Sequence, residues 1–335
     1  MRLFFLISFT TLLSPVFAQN TSYCVELDQP DFEYYDIFNQ DITNKKIILL
    51  GEKHHMAANS AIQTELLMHL NKKFGIRHLL IEFGRAEAYL YNQYLKTGEA
   101  WYINHTFQGY RGYVEFLSAW KELYNYNLRL DNSKKLVVHG LDFDREPSLS
   151  ASLYELLSDY MTNPQIKDLR DSIKARLDTI GVERNAKGYI YHLRKRIPTH
   201  LLPDGEKKQI INDILYNQSF LSNMEKRDSL MAEAFMALDT TNEAYFGQFG
   251  FAHTMLNSKN ALAAILNSLK EYRDMIFVTN MFYINSSDKH PFEELNNCQV
   301  YLYKIDTDDE ELGGFAKRGR WALVLKDQNL YTKKE

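Results

Sequence analysis

The segment Lys46-Ile-Ile-Leu-Leu-Gly-Glu-Lys-His-His55 is a short apolar run that stops abruptly on ionisable side chains. Residues 47–50 are continuously apolar and are bounded by lysines and Gly51, which is typical of a buried parallel strand. Glu52 and two histidines follow at once. We therefore expect a strand whose carboxyl end carries reactive side chains.

A helix and a second buried strand follow this segment. Ser60 starts a capping-box pattern, and apolar residues recur at helical spacing as far as Gly75, which predicts a helix between these two positions. The apolar run at residues 78–81 then ends on Glu82. Strand, helix and strand in this order form a βαβ unit, and open α/β sheets bind ligands at the carboxyl edge of their parallel strands. The ionisable residues that follow both strands are expected to meet there.

Two more predicted strands run into polar side chains. Residues 135–141 lead into Asp142 and Asp144, and residues 245–251 are followed by His253. Each of these residues alone is weak evidence, because a polar residue after a strand commonly belongs to an ordinary loop. Four strand ends of this kind at one sheet edge favour a functional site. Further strands are expected at residues 275–283, 299–305 and 321–325.

The segment at residues 148–237 differs in composition from the rest of the chain. It has no strand-like run, and it contains several amphipathic helical patterns broken at proline and glycine. We therefore predict an α/β fold with a largely parallel central sheet flanked by helices. The helical insertion at about 148–237 is expected to lie over the carboxyl edge of a single domain that spans residues 19–335.

Composition excludes several classes of protein. With 335 residues, 45% hydrophobic and 24% charged, the chain is an ordinary globular one rather than a disordered one. A formal net charge of -4 and the lack of a basic cluster with interleaved aromatic residues argue against nucleic acid as a partner. A small-molecule substrate is the expected partner.

The first 18 residues are typical of a secretory signal peptide. Arg2 precedes an apolar stretch, and Val16-Phe17-Ala18 provides small residues at a cleavage site. This predicts an exported protein, periplasmic or extracellular, without a stable membrane span. In an oxidising compartment Cys24 and Cys298 would either pair or remain as two free thiols.

Two chemical roles fit the residues at the predicted edge. His55 can act as a general base on water, oriented by a carboxylate. Alternatively, His55 and His253 can bind a divalent metal together with Glu52 or Glu82. The spacing leaves both roles open. The chain contains no GxGxxG, Walker A, HExxH, CxxC or GxSxG motif that would favour another chemistry.

Five ordered motifs resemble the erythromycin esterase-like family, across roughly residues 45 to 260. The matching segments are Gly51-Glu52-Lys53-His54-His55 for the family's Gly-Glu-x-x-His, the strand ending in Glu82, the aromatic segment Phe107 to Asn127, Gly140-Leu141-Asp142, and Arg227-Asp228-Ser229-Leu230-Met231-Ala232. The family's late His-Asn-x-His motif is reduced to His253. The charges alone predict that Arg227 and Asp228 lie on the exposed face of a helix and form local ion pairs.

The resemblance implies hydrolysis of an ester or lactone by water. In that scheme His55 removes a proton from water, while Glu52 and Glu82 hold the imidazole and the water. Arg227 or His253 would stabilise the oxyanion. His54 and Asp142 are expected to contact the substrate. No cofactor is predicted in this scheme.

The wider superfamily suggests two alternatives. It includes TIKI-type metal-dependent proteases and ChaN-type haem-uptake proteins. The first alternative is therefore a metal-dependent hydrolase or protease, and the second is a non-catalytic binder of haem or another small ligand. The candidate metal ligands are Glu52, His55, Glu82 and His253.

Overall fold

The computed structural model describes residues 21–25, 33–106, 113–179, 192–193, 195–217, 224–240, 242–284, 300–305 and 321–327. The signal peptide, Cys298 and the first part of the aromatic segment (107–112) lie outside the described residues, so export and the Cys24–Cys298 pairing stay predictions. Within the described part of the chain, no helix has the length and hydrophobicity needed to cross a bilayer.

Eight strands form one mixed sheet in the order β1-β7-β8-β6-β2-β5-β3-β4. The six strands β8-β6-β2-β5-β3-β4, which are neighbours in this order, pair in parallel. Strand β7 is antiparallel to both of its neighbours, β8 and β1. The predicted α/β fold with a largely parallel sheet is thus confirmed. The strands are β1 Thr21–Val25, β2 Ile47–Glu52, β3 His78–Ile81, β4 Val137–Gly140, β5 Tyr245–Gly250, β6 Ile276–Ile284, β7 Val300–Lys304 and β8 Trp321–Lys326.

Helices cover both faces of the sheet. Ile48 and Leu50 pack into a core with the helices Ala58–Phe74, Arg85–Thr97 and Val114–Leu128. Ile47 and Leu49 pack into a second core with the helices Arg227–Leu238 and Leu262–Ser268. A strand buried on both faces requires the continuous apolar run that the sequence shows. The α-helices are α1 Asn39–Ile42, α2 Ala58–Phe74, α3 Arg85–Thr97, α4 Ala100–Asn104, α5 Val114–Leu128, α6 Ser148–Leu156, α7 Pro164–Thr179, α8 Glu206–Asn217, α9 Arg227–Leu238, α10 Phe251–Thr254 and α11 Leu262–Ser268.

The beginning of α2 differs from the sequence prediction. The helix starts at Ala58, so Ser60 lies inside the first turn and does not cap it. The Asn59 side chain instead donates a hydrogen bond to the Lys53 carbonyl (2.8 Å), which ties the helix to the loop after β2. The predicted end is correct, because Gly75 adopts φ 70° after the last turn.

Asp144 holds together the loops that follow β3 and β4. Its Oδ1 accepts a hydrogen bond from the backbone N–H of Ala86 (2.7 Å) in the first turn of α3, although it is 58 residues away in the chain. The close approach requires Gly84, since a Cβ there would collide with the Asp144 carboxyl group. Complete burial raises the pKa of Asp144 to about 8, against the hydrogen bond from Ala86, which lowers it.

Replacement of Asp144 by asparagine should make the protein less sensitive to rising pH. The folded-state pKa of about 8 lies above the ordinary value of about 3.9, so the native state favours the protonated carboxyl group. Its stabilising contribution is therefore complete below about pH 4 and is lost as the pH rises through about 8. Asp144→Asn keeps an acceptor oxygen and cannot ionise. In urea titrations, the free energy of unfolding of the wild type minus that of the variant should fall as the pH rises from about 4 to about 8.

The exposed Asp204, paired with Lys208 at 2.8 Å, provides a matched control. Asp204→Asn should change the free energy of unfolding by less than about 0.5 kcal/mol at any of these pH values. A difference between wild type and Asp144→Asn that is constant with pH, or that increases, would contradict the assignment of a protonated Asp144.

Candidate active site

A cavity of about 280 Å³ opens at the carboxyl edge of β2 and β3. Five of the predicted site residues contribute to its lining, namely Glu52, His54, His55, Glu82 and Arg227. The parallel pairing of β2, β5, β3 and β4 places the ends of these strands side by side. The topology therefore brings together residues that are far apart in the sequence.

Arg227 lies at the centre of an ion cluster beneath this cavity. Its Nε and Nη2 donate to the two oxygens of Asp142 (3.0 and 2.5 Å), and Nη2 also donates to Glu82 Oε1 (2.8 Å). Asp142 is completely buried, and the Arg227 side chain is 19% exposed. The reading of Arg227 as an exposed helix residue is therefore wrong. Asp142, expected to contact substrate, is bound by the guanidinium, and its role towards substrate stays a prediction.

Glu82 is held as a carboxylate. Burial opposes its ionisation, but a hydrogen bond and the charge of His253, the charge of Arg227 and the Gly250 amide together hold its pKa well below the usual range. The Gly250 N–H donates to Glu82 Oε2 at 2.6 Å. A carboxylate with these partners stays ionised at neutral pH and can accept a hydrogen bond in the cavity.

His253 lies between two carboxylates. Its Nδ1 is 2.8 Å from both oxygens of Asp228, and its Nε2 is 3.3 Å from Glu82 Oε1. Burial works against the cation, yet the hydrogen bonds and charges of Asp228 and Glu82 raise the pKa of His253 to about 9. His253 is therefore protonated at neutral pH, which suits a charge-stabilising group and not a general base.

His54 is bound by one carboxylate and faces the cavity with its other nitrogen. Its Nδ1 lies 2.7 Å from Glu52 Oε1, and Gln248 donates a hydrogen bond to the second oxygen of Glu52. The hydrogen bond to Glu52 raises the pKa of His54 above its ordinary value, against the effect of burial. Because Glu52 accepts from Nδ1–H, Nε2 of the neutral ring is left as an acceptor.

Nε2 of His54 points to the region between Glu82 and Gly250. It lies 3.9 Å from Glu82 Oε1, and a Cβ added at Gly250 would come within 2.9 Å of it. Glycine at the end of β5 therefore makes room for the imidazole. A water molecule in hydrogen-bonding reach of both His54 and Glu82 would be suitably placed for activation.

His55, the predicted general base, is in a different position. Like His54 it is exposed, but it adopts φ 69°, and its ring centroid is 6.5 Å from that of Tyr113. It lines the same cavity, whereas the contacts with Glu52 and Glu82 belong to His54. The role assigned to His55 stays a prediction, and the geometry makes His54 the first competitor for it.

The alternative metal site does not fit this arrangement. Glu82 already accepts hydrogen bonds from Arg227 and Gly250, and His253 Nε2 lies 3.3 Å from the Arg227 guanidinium. The guanidinium and the imidazolium place two positive charges where a divalent cation would have to bind. Of the described residues, no group of three or more His, Cys, Asp or Glu side chains is arranged to hold a metal ion.

An aromatic wall completes the cavity. Tyr91 and Trp120 stack with ring centroids 3.9 Å apart and an interplanar angle of 2°, and both line the cavity together with Phe116. The aromatic residues of α5 also belong to the hydrophobic core. Helical periodicity identifies a buried face but does not distinguish a cavity wall from a solid core.

Comparison with known proteins gives a fold relationship and nothing closer. The chain matches no protein-family model and no curated protein. Its structure is similar to a succinoglycan biosynthesis protein, with a TM-score of 0.68, 13% identity, and coverage of 92% of this chain and 95% of that one. A protein from Bacillus cereus gives a TM-score of 0.64, with 12% identity and coverage of 94% and 97%.

A mutant of the erythromycin esterase EreC, in its open conformation, is also similar. Its TM-score is 0.53, its identity is 14%, and the match covers 94% of this chain and 99% of the esterase. Identities this low show a shared fold. The fold expected from the predicted resemblance is therefore confirmed, and the family itself stays a prediction.

Substitution of Arg227 by methionine should destabilise the protein by about 3–5 kcal/mol, because it removes a close positive partner from the buried carboxylates of Asp142 and Glu82. The measurement is the free energy of unfolding in urea. Lys174→Met, which removes an exposed pair with Asp178, serves as control and should cost less than about 0.5 kcal/mol. Equal small losses for both variants would mean that Arg227 is solvated after all.

Proposed function

We propose that this protein is a hydrolase that cleaves an ester or lactone with water activated by His54 and Glu52. The observation that carries the proposal is the Glu52–His54 hydrogen bond of 2.7 Å, with the free side of the imidazole facing Glu82 in the cavity. This is the arrangement of a carboxylate-oriented general base, with water in place of a serine nucleophile.

The charges of the site fit each step of such a reaction. Neutral His54 takes one proton from water at Nε2. The carboxylate of Glu82 accepts a hydrogen bond from the other O–H of that water and so orients it. The new hydroxide adds to the substrate carbonyl. The His54 imidazolium then returns its proton to the leaving alkoxide, so the imidazole is regenerated and the products are an acid and an alcohol.

Positive charge for the oxyanion is available from two residues. Nε and Nη2 of Arg227 are engaged by carboxylates, so Nη1 is the part of the guanidinium that remains for a substrate oxygen. His253 is the second cation, with Nε2 at 3.3 Å from both Glu82 Oε1 and Arg227 Nη1. Donors that are fixed before the reaction stabilise a developing oxyanion most effectively, because they need no reorganisation.

The two adjacent histidines provide a matched test of the base. His54→Ala should lower kcat/KM by about 10²–10⁴-fold, because it removes the acceptor of the water proton. His55→Ala should lower it by less than about tenfold, since the contacts to Glu52 and Glu82 are kept. Both variants should be assayed on a panel of esters, lactones and peptides. A larger loss for His55→Ala than for His54→Ala would show that His55 is the general base.

The metal-free reading makes a separate prediction. Turnover of whichever panel substrate is cleaved should survive prolonged chelation, because Arg227 and the His253 imidazolium supply the positive charge near Glu82. Activity that disappears and returns only with zinc, manganese or cobalt would establish the metal-dependent alternative. If no panel substrate is cleaved and added haem produces a Soret band, the ligand-binding alternative would replace the hydrolase.

A further inference from the structure

We infer that Asp228 is a positioning residue that fixes the ring of His253 and keeps it as a hydrogen-bond donor towards Glu82. The role of this ring in turnover rests on the hydrolase proposal, whereas its orientation and ionisation do not. Asp228 has no place in the reaction scheme above, and its own side chain contacts His253 rather than the cavity.

Two elements hold the Asp228 carboxylate in place. Asp228 is the second residue of α9, and its Oδ2 accepts the backbone N–H of Leu262 at the start of α11 (2.8 Å). Both carboxylate oxygens lie 2.8 Å from His253 Nδ1. The side chain is only 17% exposed, so water competes weakly for these bonds. An imidazole held this way has one orientation and carries its Nδ1 proton in every state.

The surroundings decide what the other ring nitrogen does. Nε2 of His253 is 3.3 Å from Glu82 Oε1 and also 3.3 Å from Arg227 Nη1. A neutral ring would accept from Arg227, and a protonated ring donates to Glu82. The Arg227 charge is shared between Asp142 and Glu82. At the imidazole itself, Asp228 and Glu82 are two anions facing one ring.

Among the residues that the structure describes, His54 is a further titratable group near the ring, and its protonation would disfavour that of His253. The proposed mechanism uses the neutral form of His54, which predominates only above its raised pKa. The protonated form of His253 is therefore favoured, in agreement with its pKa of about 9. Without the Asp228 charge, only Glu82 would favour the cation, against burial and the Arg227 charge.

Asparagine is the informative replacement. Asp228→Asn keeps the size of the side chain and an acceptor oxygen for the Leu262 amide, but removes the negative charge. We expect it to lower the pKa of His253 by about 1 or more, which is the ordinary effect of removing a nearby opposite charge. Asp204→Asn, a change of the same kind at an exposed carboxylate on the chain's surface, should leave it unchanged.

The experiment is an NMR titration of the full-length, chelator-treated protein with isotope-labelled histidine. His253→Gln identifies the resonance. In the wild type it should titrate near the value of about 9, with Nδ1 and Nε2 both protonated at neutral pH. A wild-type His253 that is neutral at pH 7, or that does not respond to Asp228→Asn, would overturn the inference. A wild-type His253 that is neutral at pH 7 would overturn the inference even if the variant does not fold.

Turnover gives a second and independent measurement. If the hydrolase proposal holds, the alkaline limb of the kcat/KM profile should move to lower pH in Asp228→Asn, while Asp204→Asn keeps the wild-type profile. A purely structural role would lower activity at all pH values without moving the limb. If His253 titrates as expected but no panel substrate is cleaved, the inference stands and the hydrolase proposal fails.

Discussion

The site depends on one buried guanidinium. Arg227 begins α9, where the positive end of the helix dipole disfavours a cation, so its position has to be stabilised by other groups. Asp142 and Glu82 provide that stabilisation from the ends of β4 and β3. The two carboxylates depend on Arg227 in turn, because a buried charge without a partner lowers the stability of the folded protein strongly. This mutual requirement fixes α9 against the carboxyl edge of the sheet.

His54 and His253 show how two different environments give the same type of side chain different chemical roles. His54 has one carboxylate, Glu52, and an open cavity at its second nitrogen, so it can gain and lose a proton. His253 has a carboxylate at each nitrogen and remains charged. Environments that separate the pKa values of two such groups are a common basis for acid–base roles in enzymes.

The sheet was predictable from the sequence because its strands are short apolar runs that end on ionisable residues. The pattern at residues 47–50 and 78–81 was enough to place Glu52 and Glu82 at one edge. The antiparallel pairing of β7 was not predictable, since an isolated apolar run carries no direction.

The details of the site could not be predicted from the sequence, because they depend on contacts between residues that are far apart in the chain. A charged residue on an amphipathic helix reads as exposed, and Arg227 is buried only because partners 85 and 145 residues away surround it. The choice between His54 and His55 depends on the turn after β2, where His55 takes φ 69°, and no sequence periodicity reports such a turn.

The most direct test of this account is a double-mutant cycle between Arg227 and Asp142, measured as free energies of unfolding. Arg227→Met and Asp142→Asn should each be strongly destabilising, and the double variant should cost much less than their sum, with a coupling of about 2 kcal/mol or more. Additive effects within about 0.5 kcal/mol would show that the two side chains do not depend on each other, and would contradict the account.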